Sequence, residues 1–228
     1  MERHFDEELK SLKERILYMG SLIESMTYNA IKALVDRNAD LVKEVFKTED
    51  DVNKLHIEID DKCLKLLALQ QPTAVDLRFI TSAMKINSDL ERMGDQAINI
   101  SENTEDLLKQ PELKPLIDLP KMADIAKNMV KNSLDAFVKK DVELAKSVLA
   151  KDDEVDNLKD QIFRELLTYM IASPQNIERS LDLILISRNL ERIGDHATNI
   201  AEDVIFMVIG QDIRHHVEAL IKHIDDKK

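Results

Sequence analysis

Apolar residues recur at alternating spacings of four and three positions along the first part of the chain. The run comprises Phe5, Leu9, Leu12, Ile16, Met19, Ile23, Met26, Ala30 and Ala33. This period places the apolar side chains on one face of an α-helix, and its regularity is typical of helices that supercoil against neighbours. The pattern therefore predicts a helix over residues 5–35 in a helical bundle. Gly20 weakens this helix unless close packing uses the missing side chain.

Two further helices are predicted before the middle of the chain. A short helical piece, residues 40–45, precedes a helix that begins at Thr48, whose hydroxyl is expected to cap the free amides. Pro72 predicts a tight turn over residues 70–73, because a residue before proline is pushed out of helical geometry. The next helix continues to about Leu108. Its apolar face is Phe79, Ala83, Ile86, Leu90, Met93, Ala97 and Ile100.

The second half of the chain repeats this order after three prolines at 111, 115 and 120. Its predicted elements are a helix over about 121–138, a short piece over 142–149, a helix from 151, a turn at Ser173–Pro174 and a long helix to about Ile209. We therefore predict an all-α fold in which two tandem, similar three-helix units form one elongated helical bundle. The units are residues 1–110 and 121–210, with a linker at 111–120 and a helical tail at 211–228.

One eleven-residue motif occurs twice, at residues 90–100 and 190–200. Both copies contain Leu-Glu-Arg, then Gly-Asp, then Ala, Asn and Ile at matching positions, which indicates an internal duplication. Within each copy Glu, Asp and Asn recur every four residues, so the three side chains share one ridge of a helix. Gly94 and Gly194 each cost the helix about 1 kcal/mol relative to alanine, which predicts the close approach of another backbone or of a bound group at both positions.

Composition narrows the classes of function. The chain has 228 residues and a formal net charge of −12, which opposes binding to nucleic acid or to an anionic membrane surface. Cys63 is the only cysteine, so no intrachain disulfide forms, and we interpret it as a packing residue. The longest apolar runs are too short to span a bilayer, and no signal segment follows Met1. We therefore expect a soluble, cytoplasmic protein.

The polar ridges are the candidate chemical sites. In each half, a turn joins two consecutive helices that each carry a polar ridge. The two ridges lie at about equal distances from this turn. If the helices pack antiparallel, the two ridges therefore lie side by side. Clustered carboxylates repel unless a cation neutralises them, and oxygen ligands without cysteine suit Mg, Mn, Ca or Fe better than structural zinc. A surface network with Arg92 and Arg192 is the alternative. The ridge residues are Glu49, Asn53, Glu91 and Asp95, and then Asp152, Asp156, Glu191 and Asp195.

Histidines give weaker signals. His196 adjoins Asp195, but its counterpart is Gln96, so it is not a necessary part of a duplicated site. His56 is expected to flank the core, and His215 and His216 to face solvent or a partner. No glycine-rich phosphate loop, nucleophile elbow or Glu-x-x-His pair occurs, so NTPase, hydrolase and ferritin-type functions lack support.

Three segments together resemble the PhoU family of phosphate transport accessory proteins. They are the repeated Leu-Glu-Arg-x-Gly-Asp, residues 70–78 and residues 210–215. The similarity covers nearly the whole chain. It implies a cytoplasmic, dimeric, all-helical regulator that contacts the transporter ATPase PstB and the sensor kinase PhoR. Such a regulator represses phosphate-starvation genes when phosphate is plentiful, binds no nucleic acid and meets the membrane only through its partners.

The resemblance also implies that all four ridges bind metal, with iron, manganese, magnesium and zinc as candidates. Asn53 stands where the family has aspartate, so we expect the first site to bind metal more weakly than the second, or to hold a different number of ions. The implied protein is an adaptor, not an enzyme. Alternatives are a metal-dependent phosphohydrolase, a purely structural helical oligomer, and a paralogue that regulates another transporter.

Overall fold

The computed structural model describes the backbone of residues 2–211 and the side chains of residues 5–211. Every regular element within these limits is helical, as predicted. Seven α-helices follow one another: α1 (Glu2–Asp36), α2 (Ala39–Gln70), α3 (Ala74–Leu108), α4 (Asp118–Lys139), α5 (Val142–Leu149), α6 (Asp152–Ala172) and α7 (Ile177–Ile209). A short 3₁₀ turn, Pro174–Asn176, leads from α6 into α7.

The helices pack as two groups around one continuous core. Helices α1, α2 and α3 contact one another, as do α4, α6 and α7, and the groups meet where α3 packs on α7 and α1 on α4. Helices α3 and α7 run antiparallel, because Arg78 near the start of α3 donates to the carbonyl of Met207 near the end of α7. Further along α3, and correspondingly earlier in α7, Lys85 and Asp203 form an ion pair at 2.8 Å. The result is an elongated bundle.

The predicted apolar seams form the core. In α1 the residues from Leu12 to Ala33 of the predicted seam are all buried, and so is every predicted seam residue of α3. Gly20 lies against α4, where a side chain would overlap Leu134 Cδ1, so close packing does use the missing side chain. Cys63 is fully buried, and burial raises the pKa of its thiol to about 12, which agrees with a packing role.

The predicted break before Thr48 is wrong. Helix α2 runs without interruption from Ala39 to Gln70, and Asn38 caps it through a hydrogen bond from the amide of Asp40. The Thr48 hydroxyl donates to the carbonyl of Glu44 one turn earlier, so it lies inside the helix. The local sequence resembles a cap, but no glycine or proline stops the helix there.

The second half differs from the first at the same place. Helices α5 and α6 are separated at Ala150–Lys151, where the Lys151 amide donates three residues back, to Val148. Helix α4 begins three residues earlier than predicted, because Pro120 is tolerated in a first turn whose amides have no helical acceptor. Gly210 ends α7 with a positive φ of 79°.

The predicted tail helix, with His215 and His216, lies outside the described residues. Over the part of the chain that the structure describes, no helix has both the length and the apolar character needed to cross a membrane.

Candidate metal centres on two acidic ridges

The two glycines of the repeated motif show which residues of α2 and α6 lie opposite the motif helices α3 and α7. A Cβ atom on Gly94 would lie 3.3 Å from Ile23 Cδ1 and 3.5 Å from Val52 Cγ1. A Cβ atom on Gly194 would lie 3.6 Å from Val155 Cγ1. The nearest atoms at both glycines belong to side chains and not to another backbone, and only the contact at Gly94 is tighter than ordinary van der Waals distance. Because Val52 and Val155 occupy equivalent places, the residues around them on α2 and α6 can be matched one to one.

The first cluster consists of Glu49 on α2 and the ridge Glu91 and Asp95 on α3. The pKa of Glu49 is raised, first by partial burial and then by the negative charges around it, of which Asp95 contributes most. These side chains are therefore close enough to repel one another. Asn53 lies one turn further along α2 and is exposed. The remaining charges that act on Glu49 are those of Asp50, Glu102 and Glu91.

The second cluster brings together Asp152, Asp156, Glu191 and Asp195. The pKa of Asp195 is raised to about 6, first by burial and then by the charges of Glu191, Asp152 and Asp156. The pKa of Asp152 is raised first by burial and then by the charges of Asp156, Asp153 and Glu191. All four residues that the sequence proposed for this half therefore share one electrostatic environment. Antiparallel packing of α6 and α7 produces it, as expected.

Lys159 belongs to the second cluster, and the sequence analysis did not identify it. Its ammonium Nζ lies 2.7 Å from Asp156 Oδ1 and 2.7 Å from Glu191 Oε1, so it links α6 to α7. Both hydrogen bonds raise the pKa of Lys159. The spacing of three residues between Asp156 and Lys159 signals a helical ion pair, but the contact with Glu191 depends on tertiary packing.

The residue types of the second cluster, but not their arrangement in this structure, suit a hard cation. Two carboxylate oxygens from different helices already surround a positive charge, the Lys159 ammonium, and two further carboxylates lie close by. Carboxylate oxygens are the ligands that Mg, Mn and similar ions take in proteins. As the side chains stand, however, no three His, Cys, Asp or Glu residues of the described chain are arranged to hold a metal ion.

The other candidates take different roles. Among the described residues, neither Arg92 nor Arg192 forms an ion pair, so the proposed arginine network is not what balances the ridges. His196 is buried and lies 2.9 Å from Asp89 on α3. His56 Nε2 lies 3.6 Å from Asp60 Oδ2 on its own helix.

Sequence comparison places the chain in a family. The profile of the PhoU domain matches twice, at residues 16–104 and 119–204, and each match spans one of the two motif copies. The chain belongs to the PhoU family. The resemblance inferred from the repeated motif is thereby confirmed.

PhoU relatives match over almost their full lengths. A PhoU homolog from Aquifex aeolicus, named a phosphate-specific transport system accessory protein, is 41% identical over 96% of this chain and 97% of its own. A second PhoU homolog from Thermotoga maritima is 36% identical over 97% and 94% of the two chains.

Solved PhoU structures share the fold. The crystal structure of PhoU from Pseudomonas aeruginosa superposes with a TM-score of 0.88 at 39% identity, over 91% of this chain and all of that one. The phosphate transport system regulatory protein PhoU from Streptococcus pneumoniae gives a TM-score of 0.84 at 28% identity, over 91% and 98%. The all-α PhoU architecture predicted from the sequence is therefore confirmed.

Proposed function

We propose that this protein is a non-enzymatic regulator of phosphate transport, which couples a phosphate ABC transporter to a sensor kinase and represses phosphate-starvation signalling when phosphate is plentiful. The observation that carries the proposal is the match, over 96% of this chain, to a relative named as an accessory protein of phosphate-specific transport. The name of the Streptococcus pneumoniae structure, a regulatory protein of the same system, supports it.

An adaptor role agrees better with the ridges than a catalytic one. The duplicated motif carries carboxylates in both copies but no duplicated histidine, since Gln96 stands opposite His196. His196, which lies in the second copy alone, is buried with its Nδ1 2.9 Å from Asp89 Oδ1. Apart from the carboxylates themselves, neither a histidine nor a lysine recurs in both copies of the motif to act as a general acid or base.

The acidic ridges are the proposed metal sites. Glu49, Glu91 and Asp95 would hold a cation in the first half, with Asn53 at their edge. Bound metal would neutralise the crowded carboxylates and link neighbouring helices, and oxygen donors favour magnesium, manganese or iron over zinc. In the second half the same role falls to Asp152, Asp156, Glu191 and Asp195. The result is a rigid surface that a partner can recognise.

The proposed partners are the transporter ATPase PstB and the kinase PhoR, and the proposed assembly is a cytoplasmic homodimer. The direct test measures binding of the full chain to each purified partner from the same organism, with and without added Mn²⁺. Asparagine and glutamine replace the four carboxylates of the second cluster in the test variant. A matched control neutralises four exposed carboxylates elsewhere: Glu7, Glu14, Asp61 and Glu112.

The proposal predicts saturable binding to at least one partner, weakened at least tenfold in the ridge variant and unchanged in the control. Absence of binding to both partners by the wild-type chain would overturn the adaptor role. Equal loss in the ridge variant and the control would overturn the role of the ridges, because it would reduce their effect to overall charge.

A further inference from the structure

Exposed apolar side chains cover one face of the hairpin that α6 and α7 form. Within each helix they lie four residues apart, so they are neighbours on the helix surface. Each is between 42% and 78% exposed, and none belongs to the apolar core. Exposed hydrophobic residues are ordinary when they are scattered singly, but several large ones in one patch mark an interaction surface. We call this patch the hairpin face, and it consists of Phe163, Leu167, Ile171, Ile177 and Leu181.

A groove between the two helices runs into the hairpin face. Its volume is about 270 Å³, and Phe163 on α6 and Ile184 and Arg188 on α7 line it. The ion pair of Lys159 with Glu191 forms the end of the groove that lies away from the hairpin turn. The second acidic cluster begins beyond this pair. The groove can therefore receive a protruding apolar side chain of a partner.

Two unpaired arginines border the hairpin face. Arg164 follows Phe163 on α6, and Arg188 lies one turn beyond Ile184 on α7. Both are exposed, and among the described residues neither forms an ion pair or a side-chain hydrogen bond. Of the described carboxylates that line the groove, Asp160 alone is unpaired. The border thus carries two unpaired positive charges against one negative, on a chain whose net charge is −12.

The matched hairpin of the first half has neither the continuous apolar face nor the arginines. Val52 matches Val155, and the two motif copies lie one hundred residues apart, so each residue of one hairpin has a counterpart in the other. The first half carries Asp60 for Phe163, Asp61 for Arg164, Ala68 for Ile171, Thr81 for Leu181 and Ser88 for Arg188. Because both hairpins have the same fold, packing alone does not account for these five residues of the second half.

Exposed apolar residues of α2 do not form a comparable ridge. Ile57, Leu64 and Leu69 are exposed, but they are seven and five residues apart, whereas neighbours on a helix surface are three or four apart. The first hairpin therefore provides a control surface of similar apolar content in the same molecule.

We propose that the hairpin face docks an amphipathic helix of a partner protein, whose apolar stripe enters the groove and whose acidic residues pair with Arg164 and Arg188. Apolar anchors three and four residues apart are how such a helix fills a groove of this kind. Charge complementarity selects an acidic segment, because the unpaired border charges are mainly positive. The inference rests on the proposed adaptor function, for which it supplies a docking surface.

Other occupants fit the charges less well. A second copy of the hairpin face would bring the same excess of unpaired arginines to the interface, and like charges across an interface oppose association. An anionic membrane would attract the arginines but repel a chain with a net charge of −12.

The test measures binding of the full chain to purified PstB and to PhoR from the same organism by calorimetry. Phe163→Asn, Ile171→Ala and Leu181→Thr together remove the apolar surface without changing the charge. We expect this triple variant to bind at least one partner more weakly by on the order of tenfold or more, as loss of buried anchors predicts. The matched control, Ile57→Asn with Leu69→Ala, removes exposed apolar surface from α2 and leaves the affinity unchanged. Thermal melts establish that each variant folds.

A second set of variants tests the charge of the docked segment. Arg164→Gln with Arg188→Gln should weaken binding severalfold and reduce its dependence on salt, because screening acts on the charge pairs that are lost. Arg164→Glu with Arg188→Glu should weaken binding further. Equal or tighter binding after this reversal would contradict an acidic partner segment.

The other occupants are tested with the same triple variant. If the wild-type chain pelleted with phosphatidylglycerol vesicles and the triple variant did not, the face would belong to a membrane. If sedimentation showed a dimer that the triple variant failed to form, the face would belong to a second copy. Either result would overturn the proposed partner.

The binding experiment separates this inference from the adaptor role on which it rests. Wild-type affinity of the triple variant for every partner that the wild-type chain binds would overturn the docking surface while leaving the adaptor role standing. Absence of binding of the wild-type chain to both partners would overturn the adaptor role and the docking surface together. Weakened binding of the triple variant, with an unchanged control, supports the inference.

Discussion

Asp89 Oδ1 on α3 lies 2.9 Å from His196 Nδ1 on α7, across the interface between the two three-helix groups. Both residues are buried. In the internal repeat, Asn189 corresponds to Asp89 and Gln96 to His196. Asn189 and Gln96 are also buried, but each donates to a carbonyl of its own helix. One of the two matched pairs in this interface therefore consists of ionisable side chains and the other of neutral amides.

Asp89 and His196 are expected to be energetically coupled. Asp89→Asn and His196→Gln should each lower the free energy of unfolding by about 1–3 kcal/mol, because each leaves a buried polar partner without its ionisable mate. The double variant reproduces the chemistry of Asn189 and Gln96, so its loss should be smaller than the sum of the single losses by at least about 0.5 kcal/mol. Urea denaturation in chelator measures all three. Strict additivity would contradict a direct interaction.

The three helical glycines should respond differently to alanine. Gly194→Ala should raise the free energy of unfolding by up to about 1 kcal/mol, because helix propensity improves and the new methyl makes ordinary contacts at 3.6 Å or more. Gly94→Ala should gain less, since Ile23 Cδ1 lies at 3.3 Å. Gly20→Ala should lose about 1–3 kcal/mol by overpacking against Leu134. Thermal melts give the order, and a stabilising Gly20→Ala would contradict the packing of α1 on α4.

Asp182 on α7 should make stability depend on pH. Burial, then the charges of Asp106 and Glu178, raises its pKa, and its Oδ2 is buried without a partner. A raised pKa means that the folded state holds the proton more tightly than the unfolded state. The ionised carboxyl therefore costs stability at neutral pH, and the cost disappears as the pH falls towards the unfolded pKa, about 3.9.

Asp182→Asn is accordingly expected to stabilise the chain by on the order of 1 kcal/mol at pH 8, with an advantage that shrinks towards pH 4. Urea midpoints across this range measure it, and the exposed Glu112→Gln serves as the control. An advantage that grows at acidic pH would have the wrong sign and would exclude this explanation.

Metal content provides a further prediction. Alanine at Asp152, Asp156, Glu191 and Asp195 should remove most metal bound by the second half without unfolding the bundle, because all four side chains lie on the surface ridges and none contributes to the apolar core. Elemental analysis after dialysis against Mn²⁺ measures bound metal, and circular dichroism reports helicity. Unchanged metal content would remove the second cluster as the site.

Much of the fold follows from local pattern. The four-and-three spacing of α1 and α3 predicts both the helices and their buried faces, because helix period is a property of neighbouring residues. The cap signature at Thr48 predicts a break that helix α2 does not have. Val42, Val45 and Val52 continue one buried face through it, and that periodicity would have predicted the uninterrupted helix.

The candidate sites were only partly predictable. Equal distances from the turns placed the ridges side by side, which the antiparallel packing produces. Lys159 was missed because its partner Glu191 lies on another helix, 32 residues away in the sequence. The sequence identifies His196 only as the counterpart of Gln96, because its partner Asp89 lies on another helix, 107 residues away. Both contacts depend on how helices pair.

The most direct test of the proposed function measures a phosphate-starvation reporter in phosphate-rich medium. It compares the parent strain, a strain that lacks this gene and the deletion strain complemented with the wild-type chain. The account predicts constitutive reporter expression on deletion and restored repression on complementation. Continued repression in the deletion strain would contradict the signalling role, while leaving the PhoU fold and family membership intact.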